Sequence, residues 1–169
     1  LSLCGRARTV SASSIAKAFV LLTGLLDPRL EDFARAALTD KNDRLRQAAF
    51  EWLARHPVKA LGPRLVQLLE TEQGEFVRPS LLRALAALDA DPAVRTALVR
   101  ETGRGLDLFR GALLEALGER RASYAVEALL KILPLDGPLR DVAAMALGRI
   151  GGPEAVAALA AAHDKDPAV

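Results

Sequence analysis

The chain has 169 residues, of which 51% are hydrophobic and only 4% aromatic. Its 23 basic and 21 acidic residues leave a net charge of +2 with no concentrated basic stripe, which argues against a nucleic-acid partner. The lone cysteine, Cys4, excludes an intrachain disulfide or a paired-cysteine metal knuckle and fits a reducing, cytoplasmic compartment.

From the N-terminus, residues 1–26 carry +3 and no acid. Ile15 to Leu26 is apolar but short and contains Lys17, whereas a bilayer span needs roughly 20 residues. It reads as a helix over 13–25, so no membrane partner is expected. Leu1-Ser2-Leu3-Cys4-Gly5 resembles a lipoprotein processing site, but Leu3 is not the small residue such a site requires. Asp27-Pro28 then places a capping carboxylate before a proline at a first helical position, as Asp91-Pro92 does later. Pro57, Ser123 and Gly152-Pro153 open three more helices. First helices of successive pairs are expected at 28–38, 58–71, 92–102, 123–133 and 153–163. Second helices are expected at 43–55, 76–89, 107–119 and 138–149. Pro63 should kink the helix it interrupts. The chain starts without Met and stops where another helix would begin, so both ends read as cuts through a longer protein. An uncapped end exposes apolar surface, which makes end-to-end self-association possible.

Four arginines mark the second helices. Arg46, Arg78, Arg110 and Arg140 follow one another at steps of 32, 32 and 30 residues. Each is preceded by an apolar residue, and leucine returns seven positions later, as Leu53, Leu85, Leu117 and Leu147. A fixed period in this range means a repeat array. Positions +2, +3, +6 and +7 from each arginine form one helical stripe, mostly apolar and rich in alanine. A single helix pair cannot cover such a stripe, so neighbours must. The expected architecture is a single all-α domain over 1–169, a stacked solenoid of helix pairs. Residues 28–169 form regular repeats and residues 1–27 a divergent one, with Ser14 where an arginine would fall.

Ala146-Leu147-Gly148-Arg149-Ile150-Gly151-Gly152-Pro153-Glu154-Ala155-Val156 through Leu159 resembles the HEAT-like repeat of phycobilisome bilin lyases. Asp164-Lys165-Asp166-Pro167-Ala168-Val169 is similar to that repeat's linker. Asp43–Leu53 and Asp107–Gly118 match more loosely. The resemblance implies a right-handed α-solenoid, a superhelix of antiparallel helix pairs whose second helices line a concave, protein-binding face.

Acids precede the arginines at near-constant offsets: Asp43 before Arg46, Glu75 before Arg78, Asp107 before Arg110 and Asp136 before Arg140. The resemblance makes these pairs an inter-repeat ladder of charge-assisted hydrogen bonds. Away from the apolar stripe, Gln47, Glu51, Arg55, Arg83, Glu115, Glu119, Asp141, Met145 and Arg149 form the expected concave binding face. Its column Glu51–Arg83–Glu115 alternates in sign and suggests ion pairs between repeats.

No catalytic constellation emerges. There is no Gly-x-Ser-x-Gly elbow and no His-Glu-x-x-His. Gly103-Arg104-Gly105 lacks the third glycine of a nucleotide loop and follows no strand. Asp40-Lys41-Asn42-Asp43 begins like a calcium loop, but Leu45 occupies the position that requires glycine. His56 and His163 are too far apart, and too few, for a zinc site; His56 reads as a helix-end residue and Trp52 as core. The sequence therefore predicts a non-catalytic protein–protein interaction scaffold without cofactor or metal. A bilin-lyase-like chromophore chaperone and a nucleic-acid-binding HEAT-like protein are the alternatives.

Overall fold

The computed structural model describes residues 28–135 and 137–163, and among these it is entirely helical. The helices are α1 (Pro28–Ala37), α2 (Asp43–Arg55), α3 (Gly62–Leu69), α4 (Val77–Ala86), α5 (Pro92–Glu101), α6 (Asp107–Glu119), α7 (Val126–Leu130), α8 (Pro138–Ile150) and α9 (Pro153–His163). Short 3₁₀ turns at Lys59–Leu61 and Ser123–Ala125 lead into α3 and α7. The helix expected at 13–25, the divergent repeat at 1–27, Asp136 and the linker at 164–169 lie outside the described residues.

Local chemistry sets most of the boundaries. The Asn42 side chain accepts from the Arg44 amide at 3.0 Å and starts α2. Asp91 accepts from the Ala93 amide at 2.8 Å, with Pro92 in the first turn of α5. Gly151, at φ 73°, ends α8 in a conformation that favours glycine. Two expected helices are divided. Pro63 does not kink a continuous helix over 58–71. Its ring and missing N–H fit the first turn of α3, so the break falls at the 3₁₀ turn before Gly62. The 123–133 segment likewise starts as a 3₁₀ turn and keeps only five α-helical residues. Pro134 disfavours helical geometry at Leu133 and limits its C-terminal extension.

The second helices of the pairs stack in chain order: α2 against α4, α4 against α6, and α6 against α8. The first helices lie along them, with α1 on α2, α3 and α5 on α4, and α7 and α9 on α8. The stripe read from the sequence is the seam of this stack. All its members are buried except Ala112 and Val142, which are half-buried. Leu53, Leu81, Leu85, Leu113, Leu117 and Leu147 are essentially inaccessible. Each such leucine contributes about 1.5–3 kcal/mol on burial. Alanine and glycine let the helices approach closely. A Cβ added to Gly118 of α6 would sit 2.8 Å from the Ala146 Cα of α8, nearer than atoms can pack. That contact fixes the α6–α8 distance and, with it, the spacing of the side chains the stack presents outward.

Candidate interaction face

The arginines set the geometry of this face. Arg78 is buried at the start of α4. Its Nη1 donates to the Leu69 and Glu72 carbonyls at 2.6 and 2.7 Å, gathering the end of α3 and the residues after it. Its Nη2 donates to Glu101 Oε2 at 2.6 Å, at the end of α5 in the following pair. The guanidinium also lies 5.5 Å from the centre of the Phe109 ring. Arg46 repeats this pattern. It donates to the Asp40 carbonyl at 2.7 Å, to Asp43 at 2.9 Å, and through Nε to Glu72 at 2.7 Å. Arg110 donates to the Thr102 carbonyl at 2.8 Å and to Asp107 at 3.1 Å. Arg140 Nε lies 3.5 Å from Asp141. Arg46, Arg78 and Arg110 therefore each tie the loop before their own helix to that helix's first turn. A cation suits this place because carbonyls at a helix C-terminus lack partners and carry partial negative charge.

The cross-repeat partners differ from the expected ladder. Asp43 and Asp107 bond within their own first turns. Glu75 is exposed, and Arg78 takes Glu101 in its place. The reason is geometric: the Leu69 carbonyl at the end of α3 and the Glu72 carbonyl just after it hold the guanidinium within reach of Glu101, while Glu75 stays exposed before α4. The acids that tie Arg46 and Arg78 to the following pair are Glu72 and Glu101, which are 26 and 23 residues after their arginines. A search at short offsets misses both. Their signal was a glutamate at or just past the ends of α3 and α5. Burial acts to raise the Glu72 carboxyl pKa, but hydrogen bonds from Arg46 and the Gly74 amide outweigh it and hold the group below its ordinary value. The Glu72 hydrogen bond, opposed by desolvation, raises Arg46 in turn.

Above these staples runs an open groove of about 540 Å³ that crosses α2, α4, α6 and α8. Of the expected face residues, Gln47, Arg83 and Glu115 line it. The ladder acids Glu75 and Asp107 line it as well. Its most prominent apolar groups are Phe76 and Leu108, which are 70% and 52% exposed. Sequence reasoning missed both. Each stands two residues before its arginine, outside the buried stripe, and that repeated placement was the available signal.

The alternating column does not form ion pairs. Glu51 accepts from Gln47 Nε2 at 2.8 Å, and Arg83 has no ionic partner among the described residues. Asp141 and Met145 line a second hollow, of about 580 Å³, with Val156, Leu159 and His163 of α8 and α9. Arg55, Glu119 and Arg149 are exposed and line neither hollow.

The chain matches no protein-family model and no curated protein. Among the described residues, no three His, Cys, Asp or Glu side chains gather as a metal site. His56 caps α2, with Nδ1 3.1 Å from the Trp52 carbonyl and its ring stacked 4.7 Å from that of Trp52. The Ser80 hydroxyl donates to the Phe76 carbonyl at 3.2 Å and is buried. Tyr124 lies under the Arg95 guanidinium, 5.1 Å away. Burial, reinforced by Asp89, pushes its hydroxyl up to about 12, so it stays protonated at neutral pH. No described helix is long and apolar enough to cross a membrane.

Proposed function

We propose that this chain is a non-catalytic protein-interaction module built as a HEAT-like right-handed solenoid, whose second helices present the binding face. The period of the arginines, the successive stacking of α2, α4, α6 and α8 and the resemblance around Ala146–Leu159 support the architecture. The groove carries the function. Two large apolar side chains, Phe76 and Leu108, stand exposed beside carboxylates. Apolar centres with polar rims are the usual anatomy of a protein-binding surface. Met145, 54% exposed in the second hollow, adds an adaptable apolar contact. A protein or peptide partner fits this chemistry.

Affinity capture with the full-length protein tests the reading. The double change Phe76→Ser and Leu108→Ser should release a partner that the unaltered protein retains, with little change in melting temperature because both side chains are exposed. Equal retention by the two proteins would place the partner elsewhere.

A further inference from the structure

We propose that the groove takes an extended, polyproline-type peptide bearing a cationic side chain at every third residue, each cation next to an apolar residue. This rests on the interaction-face reading and specifies its ligand.

The charge of the groove gives the sign. Its lining residues include the acids Glu75, Asp107 and Glu115, and Arg83 is the one base among them. Glu75 and Glu115 are exposed. Asp107 lends Oδ1 to Arg110 at 3.1 Å, yet its side chain is 64% exposed. A carboxylate-rich, partly apolar groove favours a cationic guest through electrostatic complementarity.

The repeat gives the spacing. Glu75 and Asp107 hold the same place, three residues before their arginines: Glu75 lies just before α4 and Asp107 opens α6, and these two helices pack directly on each other. Phe76 and Leu108 hold the next place. Packed helices stand about 8–10 Å apart, so the starts of α4 and α6, which carry these residues, are set apart across the groove by about that interval. A polyproline II strand has three residues per turn and rises about 3.1 Å per residue, returning a side chain to the same face every ~9 Å. A β-strand has side-chain period two and cannot keep every third residue on one face. A ligand repeating cation, apolar residue and proline therefore offers each carboxylate an ammonium or guanidinium, and offers Phe76 and Leu108 an apolar neighbour.

Fluorescence anisotropy with the full chain and labelled synthetic peptides tests this. The peptide (Arg-Leu-Pro)₄ should bind at least about tenfold more tightly than neutral (Ser-Leu-Pro)₄ or acidic (Glu-Leu-Pro)₄. It should also outbind (Arg-Leu-Leu-Pro)₄, which carries the same four cations out of step. Glu75→Lys should weaken it by about tenfold and Glu75→Gln by less, as like charges repel. Circular dichroism checks that both variants fold, and Phe76→Ser provides an independent loss of binding. Equal affinity for the arginine and serine peptides overturns the charge assignment while leaving an apolar-peptide face intact. Equal affinity for the two arginine peptides overturns the spacing. Binding unchanged by Glu75→Lys and Phe76→Ser, or no binding of (Arg-Leu-Pro)₄, overturns the proposal. So does concentration-dependent dimerisation that Phe76→Ser abolishes, which would make a second copy the occupant.

Discussion

Replacing Arg78 by alanine asks whether the arginines hold successive helix pairs together. The Arg78 and Glu101 side chains are only 9% and 5% exposed, and their ion pair is 2.6 Å long. Without the guanidinium, Glu101 keeps Arg100 at 3.3 Å and Arg104 at 3.7 Å, but both reach in from the surface. Breaking a buried pair by removing one partner costs about 3–5 kcal/mol. The retained arginines pull the value down, while the abandoned Leu69 and Glu72 carbonyls push it up by about 1 kcal/mol or more. A loss of about 3–5 kcal/mol is expected. Arg100→Ala is the comparison, because that side chain is 42% exposed, pairs with Glu70 at the surface and leaves Glu101 its shorter bond to Arg78. It should cost about 0–1 kcal/mol. Urea unfolding read by circular dichroism, and separately by Trp52 fluorescence, measures both. Combining Arg78→Met with Glu101→Leu should restore most of the loss, since apolar residues can replace a buried pair. An Arg78→Ala cost below about 1 kcal/mol, or equal to that of Arg100→Ala, refutes the assignment of a buried staple.

Two further perturbations probe packing and charge. Gly118→Ala should destabilise by about 1–3 kcal/mol through its clash with Ala146, overriding the better helix propensity of alanine. Gly148→Ala meets nothing within 4 Å and should stabilise by about 0.5–1 kcal/mol; thermal melts of the two variants should shift in opposite directions. The lowered Glu72 carboxyl contributes stability that is fully present above its unfolded value of 4.5 and is lost as pH falls through the lower folded value. Glu72→Gln should therefore be less stable than the unaltered chain at pH 7, and the gap should close in acid. A gap constant down to pH 3 would remove Glu72 from the network.

The helices were legible because capping, proline placement and the apolar stripe all act locally. Asp91-Pro92 and Gly152-Pro153 each mark a boundary in a few residues, and the stripe identified Leu81 and Leu117 as core. What was not legible depends on distance through the stack. Arg78 finds Glu101 and not the nearby Glu75, because the Leu69 and Glu72 carbonyls fix where its guanidinium points. Burial alone could not reveal Phe76 and Leu108. They are apolar residues left exposed, and only the stacked neighbours show that no described helix covers them. The pairing expected of Glu51, Arg83 and Glu115 failed for a similar reason: Gln47, four residues away on the same helix, reaches Glu51 first.

The central claim is that a partner sits on the face carrying Phe76 and Leu108. Site-specific photo-crosslinking in the source cells tests it most directly. Benzoylphenylalanine is placed at Leu108 in one full-length variant and at exposed Glu127 of α7, among the first helices, in another. The account predicts a discrete covalent adduct from position 108 and none from position 127, with the adduct suppressed by Phe76→Ser. Adducts from position 127 alone, or equally from both, would contradict it.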